Sequence, residues 1–136
     1  MVHQNITYIG ELRCEAIHGP SKVHIITDAP TDNQGKGESF SPTDLLVTAL
    51  ATCVITTAAM VARRENILLD GTSIYAEKYM STDAPRRVVK AILQFEMPKG
   101  IPPSFLTKLK AIAETCPVQR SIHPDIETEF NFRFSD

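Results

Sequence analysis

The sequence predicts an α+β fold in which antiparallel sheets pack against one long central helix and one shorter helix. Three patterns lead to this class: strand-like alternation near both ends, one uncharged helical run in the middle, and one amphipathic helical pattern before the last strand. In chain order the elements are predicted to be ββ-α-ββ-α-β. A chain of 136 residues has the usual length of one domain, so residues 1–136 are predicted to form a single domain.

The N-terminal part is predicted to form a two-stranded hairpin. Residues 6–17 alternate in side-chain character along their whole length, which is the period of a β-strand. The segment His18-Gly19-Pro20-Ser21 has the composition of a turn, and residues 23–27 form the returning strand. A loop that contains Gly, Asp and Pro, residues 29–40, leads into the central helix.

The central helix is predicted to run from Ser41 to about Arg64. Ser41 suits the N-cap, Pro42 the first helical position and Asp44 the third, a pattern similar to a capping box. Eighteen residues, 45–62, carry no charge, which reaches the lower limit of a membrane span. Four threonines and five alanines make this run only modestly hydrophobic, so a buried core helix is favoured. Since one small sheet could hardly cover such a helix, we expect a second protomer to complete its burial in a homodimer.

The second half of the chain is predicted to form two strands, a helix and a final strand. Residues 74–80 and 89–97 alternate on either side of a turn at residues 81–85. Residues 104–116 form an amphipathic helix with Leu106, Leu109, Ala113 and Cys116 on one stripe. Residues 126–134 then alternate again, with three phenylalanines on one face.

Composition argues against several classes of protein. The formal net charge is −2 and the basic residues are scattered, whereas a nucleic-acid-binding protein would present a basic face. The first residues lack the charged and apolar regions of a signal peptide. Three cysteines without a CxxC motif do not fit a disulfide-stapled secreted scaffold. We therefore expect a cytoplasmic protein with free thiols and no membrane or nucleic-acid partner.

Each of the three cysteines has a different predicted environment. Cys14 lies on the apolar side of a strand and is expected to be a small buried hydrophobe. Cys53 lies in the middle of the central helix, either as an inert core residue or as a thiol kept out of bulk water. Cys116 precedes Pro117: either the helix simply stops there, or Cys116 caps a new helical turn that stabilises its thiolate.

Other polar candidates favour structural roles. His123 follows Cys116 by seven residues, a spacing that matches no zinc signature, and is expected to lie in a surface loop. Asp44 is expected to serve as a capping carboxylate, because nine residues of helix place it on the side opposite Cys53. The residues themselves therefore indicate no metal or cofactor.

Two motifs resemble those of one known family. The stretch "SPTDLLVTALATC", with Pro42 eleven residues before Cys53, resembles the first cysteine-bearing helix of the OsmC/Ohr family. This family comprises the osmotically inducible protein C and the organic hydroperoxide resistance proteins. The stretch "TCPVQRSIHPDIETEF" is similar to the second motif of the family, C-P-V-x-x-S-[IL], which leads into the final strand. The predicted order of strands and helices matches the family along nearly the whole chain.

The resemblance implies an OsmC-like fold and a specific chemistry. It implies an intertwined homodimer that buries two long helices against each other and places a two-cysteine site at the interface. Cys53 would be the peroxidatic cysteine and Cys116 the resolving one. The substrates would be alkyl or fatty-acid hydroperoxides, a dithiol would be the reductant, and no metal or organic cofactor would be needed. The role would be defence against oxidative stress.

The sequence departs from the best-characterised relatives at one position. They carry a Glu directly after the proline, and it pairs with an arginine of the N-terminal hairpin that activates the thiolate, whereas this chain has Thr43 there. Arg13 is the arginine of the predicted hairpin and hence the candidate activating cation; alternatively, it is a solvated residue between Glu11 and Glu15.

The departure at Thr43 keeps a second function open. The fold could serve as a stress-response binding protein that holds an apolar small molecule with little or no peroxidase turnover. A third possibility is a cysteine-dependent acyl-transfer or metal site, although the sequence predicts no base in contact with either cysteine.

Overall fold

The computed structural model describes residues 1–135, which form six strands and two α-helices in the order βββ-α-ββ-α-β. The strands are β1 (Gln4–Gly10), β2 (Arg13–His18), β3 (His24–Asp28), β4 (Ser73–Met80), β5 (Val88–Glu96) and β6 (Glu127–Arg133). The helices are α1 (Pro42–Arg63) and α2 (Leu106–Thr115). The α+β class is therefore confirmed. The chain forms two compact units, one ending at Leu46 and one beginning at Val47, and that residues 1–136 act as one domain stays a prediction.

The first unit contains an antiparallel sheet of three strands, ordered β1-β2-β3. The prediction of one continuous strand over residues 6–17 was wrong, because the chain reverses between β1 and β2. Glu11 and Leu12 have φ values of 55° and 61°, and a type I′ hairpin turn requires positive φ at both central residues. Glu-Leu is not the Asn-Gly or Asp-Gly pair that marks such turns, so the alternation alone hid the reversal.

The first turn of α1 is capped as the sequence predicts. The Ser41 hydroxyl oxygen accepts the N–H of Asp44 at 3.1 Å, and the Asp44 carboxylate accepts the N–H of Ser41 at 2.9 Å. These two bonds are a complete capping box, which satisfies backbone donors that the helix itself cannot pair. The helix ends at Arg63, one residue before its predicted end.

The second unit contains a sheet of three strands, ordered β4-β5-β6. Strands β4 and β5 pair in antiparallel fashion, as predicted, but β6 runs parallel to β5. The prediction of purely antiparallel sheets was therefore wrong for this one pair. The cause is the connection: α2 lies between β5 and β6 in the chain, and a helical crossover returns the chain to the end of the sheet where β5 began.

The core of the second unit is built from side chains of both helices, of β5 and of the residue that follows β5. Its fully buried members include Leu50, Val54, Leu93, Phe95, Met97 and Leu109. Phe95 stacks on Phe132 of β6, with ring centroids 4.7 Å apart. Burying a side chain of this size contributes about 1.5–3 kcal/mol, so these residues supply much of the stability of the unit.

One face of α1 stays uncovered within this chain. A stripe of Ala49, Thr52, Thr56 and Met60 is exposed, and the side chain of Met60 is 58% exposed. By length and composition α1 could also span a membrane, a test that core helices of soluble proteins pass equally. Only 33% of the most apolar 18-residue stretch of α1 is buried. A single protomer therefore does not cover the helix on nearly every side, as expected from the sequence.

Candidate functional site

Cys116 lies at the junction between α2 and a following helical turn. Its N–H still donates to the carbonyl of Ile112, while its own backbone is extended, with φ −62° and ψ 153°. The Cys116 carbonyl accepts the N–H of Arg120 at 3.0 Å, which closes one turn of helix. Cys116 is therefore the N-cap of that turn, with Pro117 as its first residue, as one of the two sequence interpretations predicted.

The side chain of Cys116 is almost completely buried, although the residue is the N-cap of a helical turn. The side chain is only 1% exposed, and burial is the main cause that raises the pKa of the Cys116 thiol. The N–H groups of Gln119 and Val118 donate to this sulfur and act in the opposite direction. The expectation that capping would give Cys116 a lowered pKa was therefore wrong, because desolvation outweighs the two N–H donors.

Cys53 and Cys116 meet in the second unit. Their side chains are hydrogen-bond partners, an interaction that further raises the pKa of Cys116, and both cysteines are in the free thiol state. The neutral thiol form of Cys116 is thus favoured over its thiolate. Two thiols that are hydrogen-bond partners are neighbours, so an oxidised sulfur on one of them lies beside the sulfur of the other.

Cys53 opens onto a groove along the uncovered face of α1. Cys53 is half-buried, in contrast to Cys116. The groove has a volume of about 460 Å³, and it is lined by Ala49, Thr52, Cys53, Thr56, Thr57, Met60, Pro117 and Val118. Its walls are alkyl groups and hydroxyls without a charged side chain. Thr52 donates its hydroxyl to the Thr48 carbonyl at 2.8 Å, the back-bonding expected for threonines within a helix.

A further residue, Gln119, holds the capped turn in place. Its side-chain amide donates to the hydroxyl of Thr128 in β6 at 3.0 Å, and its other amide atom, Oε1, is buried without a partner. The Ser121 hydroxyl also donates to the Pro117 carbonyl at 2.6 Å. The sequence did not single out Gln119, because its bond to Thr128 depends on how the turn meets the final strand.

Arg13 is held by two carboxylates of the first unit. Its Nη2 atom lies 3.2 Å from Asp28 and 2.8 Å from Glu38. Asp28 is fully buried and faces Arg13 across the β2–β3 pair, whereas the side chain of Glu38 is 61% exposed. The interpretation of Arg13 as a freely solvated residue was therefore wrong. Nothing in the sequence marks Asp28 as its partner, since the pairing follows from the register of two strands.

The remaining candidates take no part in this cluster of thiols. Cys14 is half-buried in β2, less covered than predicted. His123 is exposed beyond the capped turn, as predicted. Within residues 1–135, no group of three or more His, Cys, Asp or Glu side chains is placed to hold a metal ion.

Comparisons with known proteins find relatives of this chain. A family model described as OsmC-like protein matches residues 35–131. A structure from Psychrobacter arcticus 273-4, provisionally ascribed to an osmotic stress induced and detoxification response protein, is 44% identical, with a TM-score of 0.92 over 98% of this chain and 96% of that chain. No curated protein sequence matches this chain.

Two more distant structures share the fold. An organic hydroperoxide resistance protein OsmC from Legionella pneumophila is 17% identical, with a TM-score of 0.75 over 97% of this chain and 96% of that chain. The organic hydroperoxide resistance protein OhrB of Bacillus subtilis is 15% identical, with a TM-score of 0.68 over 98% of each chain. At these identities the likeness shows the fold alone.

We expect the free energy of unfolding to depend less on pH in the acid range for Asp28→Asn than for the wild type. The N–H of Glu38 is the main cause that lowers the pKa of Asp28, and Arg13 adds to it against the effect of burial. Because the folded pKa is below the unfolded one, ionised Asp28 stabilises the fold above about pH 4, and this stabilisation is lost as the pH falls further. In urea unfolding at a series of pH values, the wild type should lose stability more steeply below pH 4 than Asp28→Asn.

The matched control is Asp70→Asn, which changes an exposed aspartate. This variant should follow the wild-type slope. Parallel curves for the wild type and Asp28→Asn would show that the charge of Asp28 does not stabilise the first unit.

Proposed function

Because this chain belongs to the OsmC-like protein family, we propose that it is a thiol-dependent peroxidase that reduces organic hydroperoxides through a two-cysteine disulfide cycle. The observation that carries the proposal is the hydrogen bond between Cys53 and Cys116, which puts two free thiols in contact at the edge of an open groove. Two relatives with this fold are organic hydroperoxide resistance proteins, which gives the proposal its substrate class.

Cys53 is the residue that meets the hydroperoxide. It lines the groove, whereas Cys116 is almost completely covered. The thiolate of Cys53 attacks the terminal oxygen of the hydroperoxide, the O–O bond breaks, and Cys53 becomes a sulfenic acid. The alkoxide that leaves takes up a proton and departs as an alcohol.

Cys116 completes the oxidation. Its sulfur attacks the sulfenic sulfur of Cys53, water leaves, and a disulfide joins the two residues. The contact between the two side chains in the reduced state means that this step needs only a local movement. A dithiol then returns both cysteines to the free state, so the cycle requires no metal or organic cofactor.

The groove favours an apolar substrate. Its lining offers methyl, methylene and hydroxyl groups beside Cys53, with no charged side chain to bind a polar head group. Burying alkyl chain against such walls contributes about 0.8 kcal/mol for each methylene. Alkyl or fatty-acid hydroperoxides therefore fit better than hydrogen peroxide, and a role in defence against oxidative stress follows from this chemistry.

We also propose that the chain works as a cytoplasmic homodimer with its active site at the interface. The uncharged stripe of α1 is exposed in a single protomer, and it borders the groove at Cys53. One face of the N-terminal sheet likewise exposes Ile6, Tyr8 and Ile25. Contiguous apolar faces of this kind mark interaction surfaces, and a second copy would remove both from water.

Arg13 is the proposed activating cation. The resemblance to the family assigns it this role, and Asp28 and Glu38 supply the carboxylate partners that Thr43 cannot. A guanidinium oriented by two carboxylates is fixed in position and can stabilise a thiolate through its N–H donors.

We expect the two reactive cysteines to differ in a peroxidase assay. With cumene hydroperoxide and a dithiol, the wild type should turn over, and Cys53→Ser should fall to the rate of the uncatalysed reaction. Without the dithiol, Cys116→Ser should consume one equivalent of hydroperoxide and stop at the sulfenic acid, because no resolving thiol remains. Peroxide consumption and the mass of the sulfenic product would be measured together.

Cys14→Ser is the matched control and should keep the wild-type rate. A wild type that is as slow as Cys53→Ser would contradict the peroxidase proposal. The alternative, a stress-response protein that binds an apolar small molecule in the same groove, would then be tested by ligand screening.

We expect Arg13→Gln to lower the rate at which Cys53 is oxidised by about tenfold or more. A loss of this size corresponds to one hydrogen bond to a charged group, about 1.5 kcal/mol. The rate would be measured in single-turnover experiments, together with the pH profile for alkylation of Cys53. Arg13→Lys should retain part of the rate, and Arg87→Gln, which removes an exposed arginine from a turn, should retain all of it. Equal rates in Arg13→Gln and the wild type would remove Arg13 from the mechanism.

We expect Met60→Lys to weaken the proposed dimer, because it places a charge on the uncharged stripe of α1. The dissociation constant should rise by at least about tenfold, or 1.4 kcal/mol, in sedimentation experiments. Thr107→Lys, at an exposed position of α2, is the control and should dimerise like the wild type. A monomeric wild type, or an unchanged constant in Met60→Lys, would contradict this interface.

A further inference from the structure

We propose that the dithiol which reduces the Cys53–Cys116 disulfide attacks the sulfur of Cys53, so that Cys116 is the leaving group. The inference rests on the proposed two-cysteine cycle and adds the direction of its reductive half. It follows from three features of the reduced site: the unequal exposure of the two sulfurs, the groove at Cys53, and the capped turn that begins at Cys116.

Access favours Cys53. A thiolate must approach a disulfide sulfur from outside, along the line of the S–S bond, and the 1% exposure of Cys116 leaves no such approach. Cys53 opens onto the groove, where the hydroperoxide has to reach it in the oxidative half of the cycle. In the proposed dimer a second protomer covers the stripe of α1, and an opening must remain through which the hydroperoxide reaches Cys53. The same opening admits a small thiol to the sulfur of Cys53.

The electrons balance in two steps. The first thiolate of the reductant forms a bond to the sulfur of Cys53, the Cys53–Cys116 bond breaks, and its electron pair passes to Cys116. The second thiolate of the reductant then attacks its own first sulfur, which expels the thiolate of Cys53. The reductant leaves as a cyclic or intramolecular disulfide, two electrons having passed to the protein.

The surroundings of Cys116 act on its departing thiolate in two opposite ways. The N–H groups of Val118 and Gln119 point at its sulfur and receive the charge as the S–S bond breaks. Burial raises the pKa of Cys116, so the departing thiolate takes up a proton at neutral pH. A mostly protonated thiol is a weak nucleophile, so Cys116 attacks the mixed disulfide at Cys53 only slowly, while the second thiol of the reductant completes the reaction.

The direction of attack can be read from where a monothiol becomes attached. The protein in a Cys14→Ser background would be oxidised with diamide, which forms the disulfide without any hydroperoxide. It would then be treated with glutathione, quenched with acid, labelled with N-ethylmaleimide in concentrated urea near neutral pH, and digested with trypsin. Cys53 and Cys116 fall in separate tryptic peptides, residues 37–63 and 111–120, so mass spectrometry assigns each adduct.

We expect glutathione on Cys53 and maleimide on Cys116, in at least about tenfold excess over the reverse pattern. In concentrated urea both sulfurs become accessible, and the preference should disappear. Glutathione on Cys116 would overturn the inference and leave the two-cysteine cycle standing. Failure of diamide to form the disulfide would overturn both.

The pH dependence gives a second readout that access alone does not control. The Cys53–glutathione adduct, isolated at acidic pH, should release glutathione by attack of Cys116 about tenfold faster for each pH unit between 7 and 9. The adduct of Cys116→Ser should release none. A release rate that is independent of pH in this range would show that Cys116 is already ionised, and it would overturn the proposed role of its proton.

Discussion

The constraint on which the site depends is the proline that follows Cys116. Proline lacks an N–H and clashes with the preceding turn, so α2 cannot continue through it. The residue before a proline is also driven into extended backbone, and Cys116 has a ψ of 153°. One covalent feature of the sequence therefore ends the helix, starts the next turn and makes Cys116 the cap between them.

The capped position decides what kind of thiol Cys116 is. Two backbone N–H groups favour its charged form, while burial and the hydrogen bond to Cys53 favour its neutral form, and the neutral form prevails. In its neutral form Cys116 is a weaker nucleophile than a thiolate. The two cysteines thus receive distinct roles from their surroundings, one open to a groove and one enclosed within the fold.

Local chemistry could be predicted from the sequence, and long-range pairing could not. There are two such caps, one at Ser41 and one at Cys116. Each depends only on residues that are at most four positions apart in the chain, and both caps are found in the structure. The hairpin turn at Glu11 could not be predicted, because Glu and Leu are not residue types that usually adopt positive φ values in such turns. The parallel direction of β6 depends on the end of the sheet to which the helical crossover returns the chain. The alternation of residues within a strand gives no information about this direction.

The contact between Cys53 and Cys116 could be predicted from the sequence only in part. Each cysteine could be found from its own motif, but the meeting of their sulfurs depends on how the residues of α1 and α2 pack in one core. Gln119 is a similar case. Its bond to Thr128 joins the capped turn to the final strand, and only the folded chain brings these two residues together.

The departure at Thr43 has a physical counterpart within the first unit. Asp44 cannot substitute for the family glutamate, because its carboxylate is engaged in capping Ser41. Arg13 instead takes Asp28, its partner across the strands, and Glu38 from the following loop. Both carboxylates hold the guanidinium at Nη2, so its position is fixed within the first unit without a carboxylate at position 43.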